Sequence, residues 1–135
     1  MISFPTRDEL LEAVSAYLRE QLLPRLSGSE RYQAQVAVKA LEVVARDLAL
    51  GTRSDAEARE RLLALLGGSP SQSLEQLDAE LCARLRDGRI RPDQPALLAH
   101  LRATTRARLA IDNPGFAFAC PSPDRAADGT QSDGA

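Results

Sequence analysis

Glu30-Arg31-Tyr32-Gln33-Ala34-Gln35-Val36-Ala37-Val38-Lys39-Ala40-Leu41-Glu42-Val43-Val44-Ala45-Arg46-Asp47-Leu48-Ala49-Leu50 is the stretch that decides the fold. At about 100° per residue, Tyr32, Val36, Ala37, Ala40, Leu41, Val43, Val44 and Leu48, joined by Ala34, Val38 and Ala45, cover most of a helix's circumference. The main polar strip is narrow: Gln35, Lys39, Glu42 and Arg46. A helix apolar on nearly every side is expected to be buried on several sides. The pattern therefore predicts a central helix over 30–50, with Val44 fully buried.

Outward from this stretch, helix starts and stops are clearly written. Thr6 with Glu9, Ser54 with Glu57 and Ser73 with Gln76 have the spacing of capping boxes, each ahead of a helical apolar period. Gly28, Gly51, Gly67 and Gly88 each follow such a period, where a left-handed cap residue fits. Five helices result, roughly 7–23, 30–50, 55–66, 74–87 and 94–112. Their short connections favour antiparallel neighbours. The first helix places Leu10, Leu11, Val14, Tyr17, Leu18 and Leu22 on one face, and Pro24 breaks or kinks its end. The fourth carries a stripe of Leu74, Leu77, Leu81 and Leu85. Composition agrees: 44% hydrophobic residues with only 4% aromatics and no Trp leave Leu, Val and Ala to fill a core. Leu and Ala favour helix over strand. The expected fold is all-α, an antiparallel bundle of about five helices. One domain spans 1–116, followed by a disordered tail over 117–135, because a segment rich in Pro, Ser, Asp and Gly cannot offset its ordering entropy.

Charge and motifs exclude several function classes. Seventeen basic against nineteen acidic residues give a net charge of -2, so no global field recruits nucleic acid or an anionic membrane. Cys82 and Cys120 do not pattern as a disulfide framework or a zinc site. Proline and acids near the N-terminus replace the apolar core of a signal peptide, and no run suits a bilayer span. A cytoplasmic protein is expected. With His100 the single histidine, the helical two-histidine zinc motif is absent. Gly67-Gly68-Ser69-Pro70 lacks the lysine of a phosphate loop, no Gly-x-Ser-x-Gly elbow occurs, and Asp124, Asp128 and Asp133 lack calcium-loop spacing. No metal, cofactor or catalytic residue is expected.

The last helix carries the most informative constellation. Leu97, Leu98, Leu101 and Leu109 define its expected buried face, with Thr105, Arg108 and Asp112 in the same arc and His100 and Thr104 at its edge. On one reading Arg108 and His100 line a pocket for a carboxylate or phosphate, which suits the guanidinium fork. On the other, Arg108 lays its stem over the core and pairs with Asp112, four residues on. Arginines are also dense from Arg84 to Arg108, and two readings apply: a receptor for an acidic partner, or a solvated face whose cations favour helix C-termini.

Three stretches carry a family resemblance: Pro5-Thr6-Arg7-Asp8-Glu9-Leu10-Leu11-Glu12-Ala13-Val14; Tyr32 with Val36-Ala37 and Ala40-Leu41; and Leu97-Leu98-Ala99-His100-Leu101 through Leu109-Ala110-Ile111-Asp112-Asn113-Pro114. Over about residues 4–116 the chain resembles a bacterial family of small helical proteins of unknown function. Its members are typically encoded beside aminoglycoside-phosphotransferase-like kinases and acyl-CoA dehydrogenases. Lys39 departs from the small polar residue expected there. The resemblance implies no catalytic residue. It implies an accessory role in acyl-CoA metabolism, with such a kinase or dehydrogenase as partner. The leading expectation is thus a non-catalytic helical accessory or protein-interaction domain. The alternative is a small-ligand binder or enzyme acting on an acyl-CoA or phosphate compound through Arg108, His100, Thr104 and Tyr32. A third is a homodimer joined along the outer side of the second helix.

Overall fold

Thr6 opens the first helix as its sequence predicts: the Glu9 amide donates to Thr6 Oγ1 at 3.2 Å, and the Thr6 amide donates to Glu9 Oε2 at 2.6 Å. Those bonds hold the Glu9 carboxyl below its usual range, the Thr6 backbone contact being the larger cause. Helix α1, Arg7–Ala16, runs on into a π-helical turn over Tyr17–Leu22 and a 3-10 turn over Leu23–Arg25. Pro24, which has no amide to donate, sits in that last turn. Then follow α2, Gly28–Leu66; α3, Leu74–Arg86; α4, Pro95–Asp112; and α5, Pro114–Ala119. This computed structural model describes residues 4–119, all-α with no strand among the described residues. The expected tail begins inside α5 at 117, and its residues 120–135 lie outside the described ones. No helix among the described residues is long and apolar enough to cross a membrane.

Among the described residues the number of α-helices matches the expectation, but their division differs. The two helices expected over 30–50 and 55–66 are one, 39 residues long and about 58 Å from end to end at 1.5 Å per residue. Gly51 continues the helix, and its φ is not positive. An interior glycine costs only about 1 kcal/mol relative to alanine, and α4 spans the weak point. Antiparallel to α2, α4 meets it on both sides of Gly51. Arg46 Nε donates to the Ile111 carbonyl at 2.6 Å, and the Arg61 guanidinium reaches Thr104 Oγ1 at 3.4 Å. The Ser54–Glu57 spacing starts nothing: Glu57 instead pairs with Arg53 at 2.9 Å. The stop comes at Gly67, left-handed at φ 65°, whose amide closes on the Leu63 carbonyl at 2.9 Å.

The core lies at the C-terminal half of α2. Leu62 and Leu66 meet Leu77 and Leu81 of α3, Ile90 of the following loop and Leu97 of α4. Ser73 and Gln76 form their capping box ahead of α3, with bonds of 3.2 and 2.9 Å. Arg84 ties α3 to the end of α2, donating to the Leu66 carbonyl at 2.8 Å and to Glu80 at 2.7 Å. Arg59 holds the intervening loop through the carbonyls of Pro70 and Gln72.

The N-terminal half of α2 corrects the expectation of burial. It is covered by α1 and the turns after it, which run antiparallel: Arg31 donates to the Leu23 carbonyl at 3.0 Å, and Arg19 lies 3.9 Å from Glu42. Val38 is buried, but Tyr32, Val36, Ala37, Ala40 and Leu48 are exposed, and Val44 is 47% exposed. On α1 Ser15 is buried and Leu11 half-buried, while Leu10 and Val14, with Tyr17 of the π-helical turn, face solvent. The apolar pattern reports the character of a helix surface; burial needs neighbours, and these residues lack enough of them.

On α4 the buried face is rotated by about a third of a turn from the expected one, at 100° per residue. Leu97, His100 and Ile111 are buried, whereas Leu98 and Leu101 are exposed. The half-buried Ala103 and Ala107 share the inward side. Small side chains let helices approach closely, a signal that counting leucines misses.

Candidate functional site

Between α2, α3 and α4 lies a cavity of about 110 Å³. From α2 it takes Asp47, Gly51, Ser54, Asp55, Ala58 and Arg61, and from α4 His100, Thr104, Ala107, Arg108 and Ile111. Both sets follow the three- and four-residue steps of one helix face. Leu74 and Asp78, near the start of α3, complete the lining. Gly51, Ala58 and Ala107 are the small residues that leave the space open.

Two polar atoms make this cavity unusual. His100 is 4% exposed. Its Nδ1 and Arg61 Nε are the buried side-chain polar atoms without a hydrogen-bond partner among the described residues, and both residues line the cavity. An unmet buried polar group costs about 1–3 kcal/mol. Burial lowers the His100 pKa, and the nearby Arg61 cation lowers it further against an opposing pull from Asp78. The folded imidazole is therefore neutral at pH 7. Since the unfolded chain binds this proton near pH 6.5, His100 contributes stability above that pH. The contribution is lost as pH falls through the lower folded value. Thermal melts from pH 7.5 to 5 are expected to decline more steeply for wild type than for His100→Gln; parallel curves would contradict the assignment.

The sequence-predicted residues divide. His100, Thr104 and Arg108 line this one cavity. His100 lies in the buried face of α4, not at its edge. Tyr32 is far away, exposed on the N-terminal half of α2, 29 positions and about 43 Å along the axis from Arg61. Arg108 donates to Asp112 at 2.8 Å with both side chains substantially exposed, a pair worth about 0–1 kcal/mol. Arg61, Asp47, Asp55 and Asp78 went unrecognised in the sequence. Reading a helix break at Gly51 separated Asp47 from Arg61, and nothing local to α3 announces Asp78 as a neighbour of His100. Although acids and a histidine share the lining, no group of three converges as metal ligands among the described residues.

The arginine-dense stretch is largely spent on local bonds. Arg89 meets Asp87 at 3.0 Å and Arg91 meets Asp93 at 2.8 Å, while Arg86 donates to the Cys82 carbonyl at 3.4 Å. These contacts fit a solvated face better than a receptor for acidic groups.

A second feature lies along the N-terminal half of α2. Tyr32, Val36, Ala40, Val44 and Leu48 are all exposed and recur at intervals of four, the ridge along which helices interdigitate. Leu10, Val14 and Tyr17 form an exposed apolar stripe that runs from α1 into the π-helical turn.

Comparison with curated proteins and with solved structures returned no match. A family model does match, over residues 24–116, so α1 and most of the turn after it fall outside the matched region. That region holds all of α2, α3 and α4, and with them both the cavity and the α2 ridge. The chain belongs to the family described as Domain of unknown function (DUF6285).

Proposed function

We propose that this chain is a non-catalytic helical interaction module whose N-terminal hairpin docks a partner protein. The observation that carries the reading is the ridge of Tyr32, Val36, Ala40, Val44 and Leu48, left exposed along the N-terminal half of α2. Covering a fully exposed Val or Leu is worth about 1.5–3 kcal/mol. Half-exposed side chains along a ridge therefore hold several kcal/mol that only a neighbouring surface can recover. The sequence resemblance suggests the partner: an aminoglycoside-phosphotransferase-like kinase or an acyl-CoA dehydrogenase.

Self-association is a second reading, favoured by the ridge's symmetry about Ala40. In an antiparallel pair Val36 would face Val44 and Tyr32 would face Leu48 across a two-fold axis, as an isologous interface requires. The small Ala40 at the crossing point lets the helices approach.

Size-exclusion chromatography with light scattering tests both readings, on the chain alone over a concentration series and after co-expression with each enzyme type. Val36→Asp and Val44→Asp are expected to melt within a few degrees of wild type, since each charge remains in water. Both are expected to abolish the complex that wild type makes. Variants that still form the complex would defeat the reading, as would variants that unfold.

A further inference from the structure

We infer that the cavity between α2, α3 and α4 is a binding site for a small zwitterion, with its carboxylate toward Arg61 and its ammonium at Asp55. This site is independent of the hairpin surface. Arg61 is half-buried, forms no ion pair among the described residues, and holds a buried donor, Nε, without an acceptor. Its one hydrogen bond there, to Thr104 Oγ1, is long at 3.4 Å. A buried donor without an acceptor is a costly arrangement unless something supplies one. His100, nearly fully buried on the same cavity, likewise has an open Nδ1. One end of the cavity is therefore incomplete, with a fixed positive charge and an unmet ring nitrogen.

The surrounding charge argues against a simple anion. Asp47, Asp55 and Asp78 line the same cavity, are exposed, and form no ion pair among the described residues. Arg108 does not offset them, because it is already joined to Asp112 at 2.8 Å. His100, neutral at pH 7, adds no cation. Phosphate or the polyphosphate of coenzyme A would meet three carboxylates for one available guanidinium. A purely cationic ligand would leave the buried Arg61 Nε without an acceptor. A molecule with one charge of each sign meets both demands.

Length and volume narrow the class. Asp55 lies six positions before Arg61 on α2, about 9 Å along the axis. The cavity's roughly 110 Å³ is well below the ~300–1,000 Å³ of sites for drug-sized ligands. A short ω-amino acid, with its charges separated by a few methylenes that Ala58 and Ala107 can cover, fits both limits.

Calorimetric titration with 5-aminopentanoate tests this, with pentanoate, pentylamine, inorganic phosphate and coenzyme A as comparison probes. Ring signals of His100 are followed by NMR in parallel. The zwitterion is expected to saturate and to shift the His100 ring, and each singly charged probe to bind at least tenfold more weakly. Arg61→Met is expected to abolish that binding. Asp55→Asn, on an exposed side chain that leaves the fold intact, is expected to weaken it at least tenfold. Absence of zwitterion binding would overturn the proposal. So would tighter binding of phosphate or coenzyme A, or full affinity in a folded Asp55→Asn.

Discussion

Leu62→Ala is expected to destabilise the protein by about 3 kcal/mol, within the ~2–5 kcal/mol typical of leucine truncations in cores. Leu62 is 0% exposed and stands where α2, α3 and α4 converge, against Leu77 and Leu97 among others. The loss combines transfer of the missing carbons with a cavity that three helices cannot easily close. The same truncation at Leu48, an exposed ridge position, is expected to cost less than about 1 kcal/mol. Denaturant unfolding of the two variants measures the contrast. Equal losses would mean that the core extends along all of α2.

Gly51→Pro is expected to cost at least about 3 kcal/mol. Proline removes the amide that bonds four residues back, and its ring clashes with that carbonyl. Were α2 two helices meeting at Gly51, a proline there would fall just past a helix end, where prolines are common. Gly51→Ala is the companion variant. An added Cβ would lie 3.0 Å from Asp47 Oδ1, the far end of a flexible side chain. Alanine also favours the helix by up to about 1 kcal/mol. Thermal melts are expected to rise slightly for alanine and to collapse for proline. A proline variant as stable as wild type would contradict the continuous helix.

Much of the fold was legible because caps and periods are local. Thr6–Glu9 and Ser73–Gln76 form the bonds their spacing predicts, and Gly67 turns left-handed where the apolar period ends. Gly51 misled because a glycine after an apolar period reads alike whether the chain stops or is splinted. The splint comes from Ile111 and Thr104, tens of residues away. The ridge from Tyr32 to Leu48 was visible as apolar, but the sequence of one helix does not state how many neighbours it will have. For the cavity, His100, Thr104 and Arg108 could be found on one helix. Arg61 and Asp78 come from two others, so their meeting with His100 depends on how the helices pack.

The reading of the hairpin as a docking surface turns on its being under-covered in the isolated chain, and amide hydrogen exchange measures this most directly. In the free protein, residues 58–66, 77–85 and 97–111 are expected to exchange near the global unfolding limit. Residues 10–22 and 30–48 are expected to open at lower free energy, because they bury less apolar surface. On forming the complex, with an enzyme partner or with a second copy, 30–48 are expected to gain the most protection. Uniform protection in the free chain, or protection gained only at the α3–α4 end, would contradict the account.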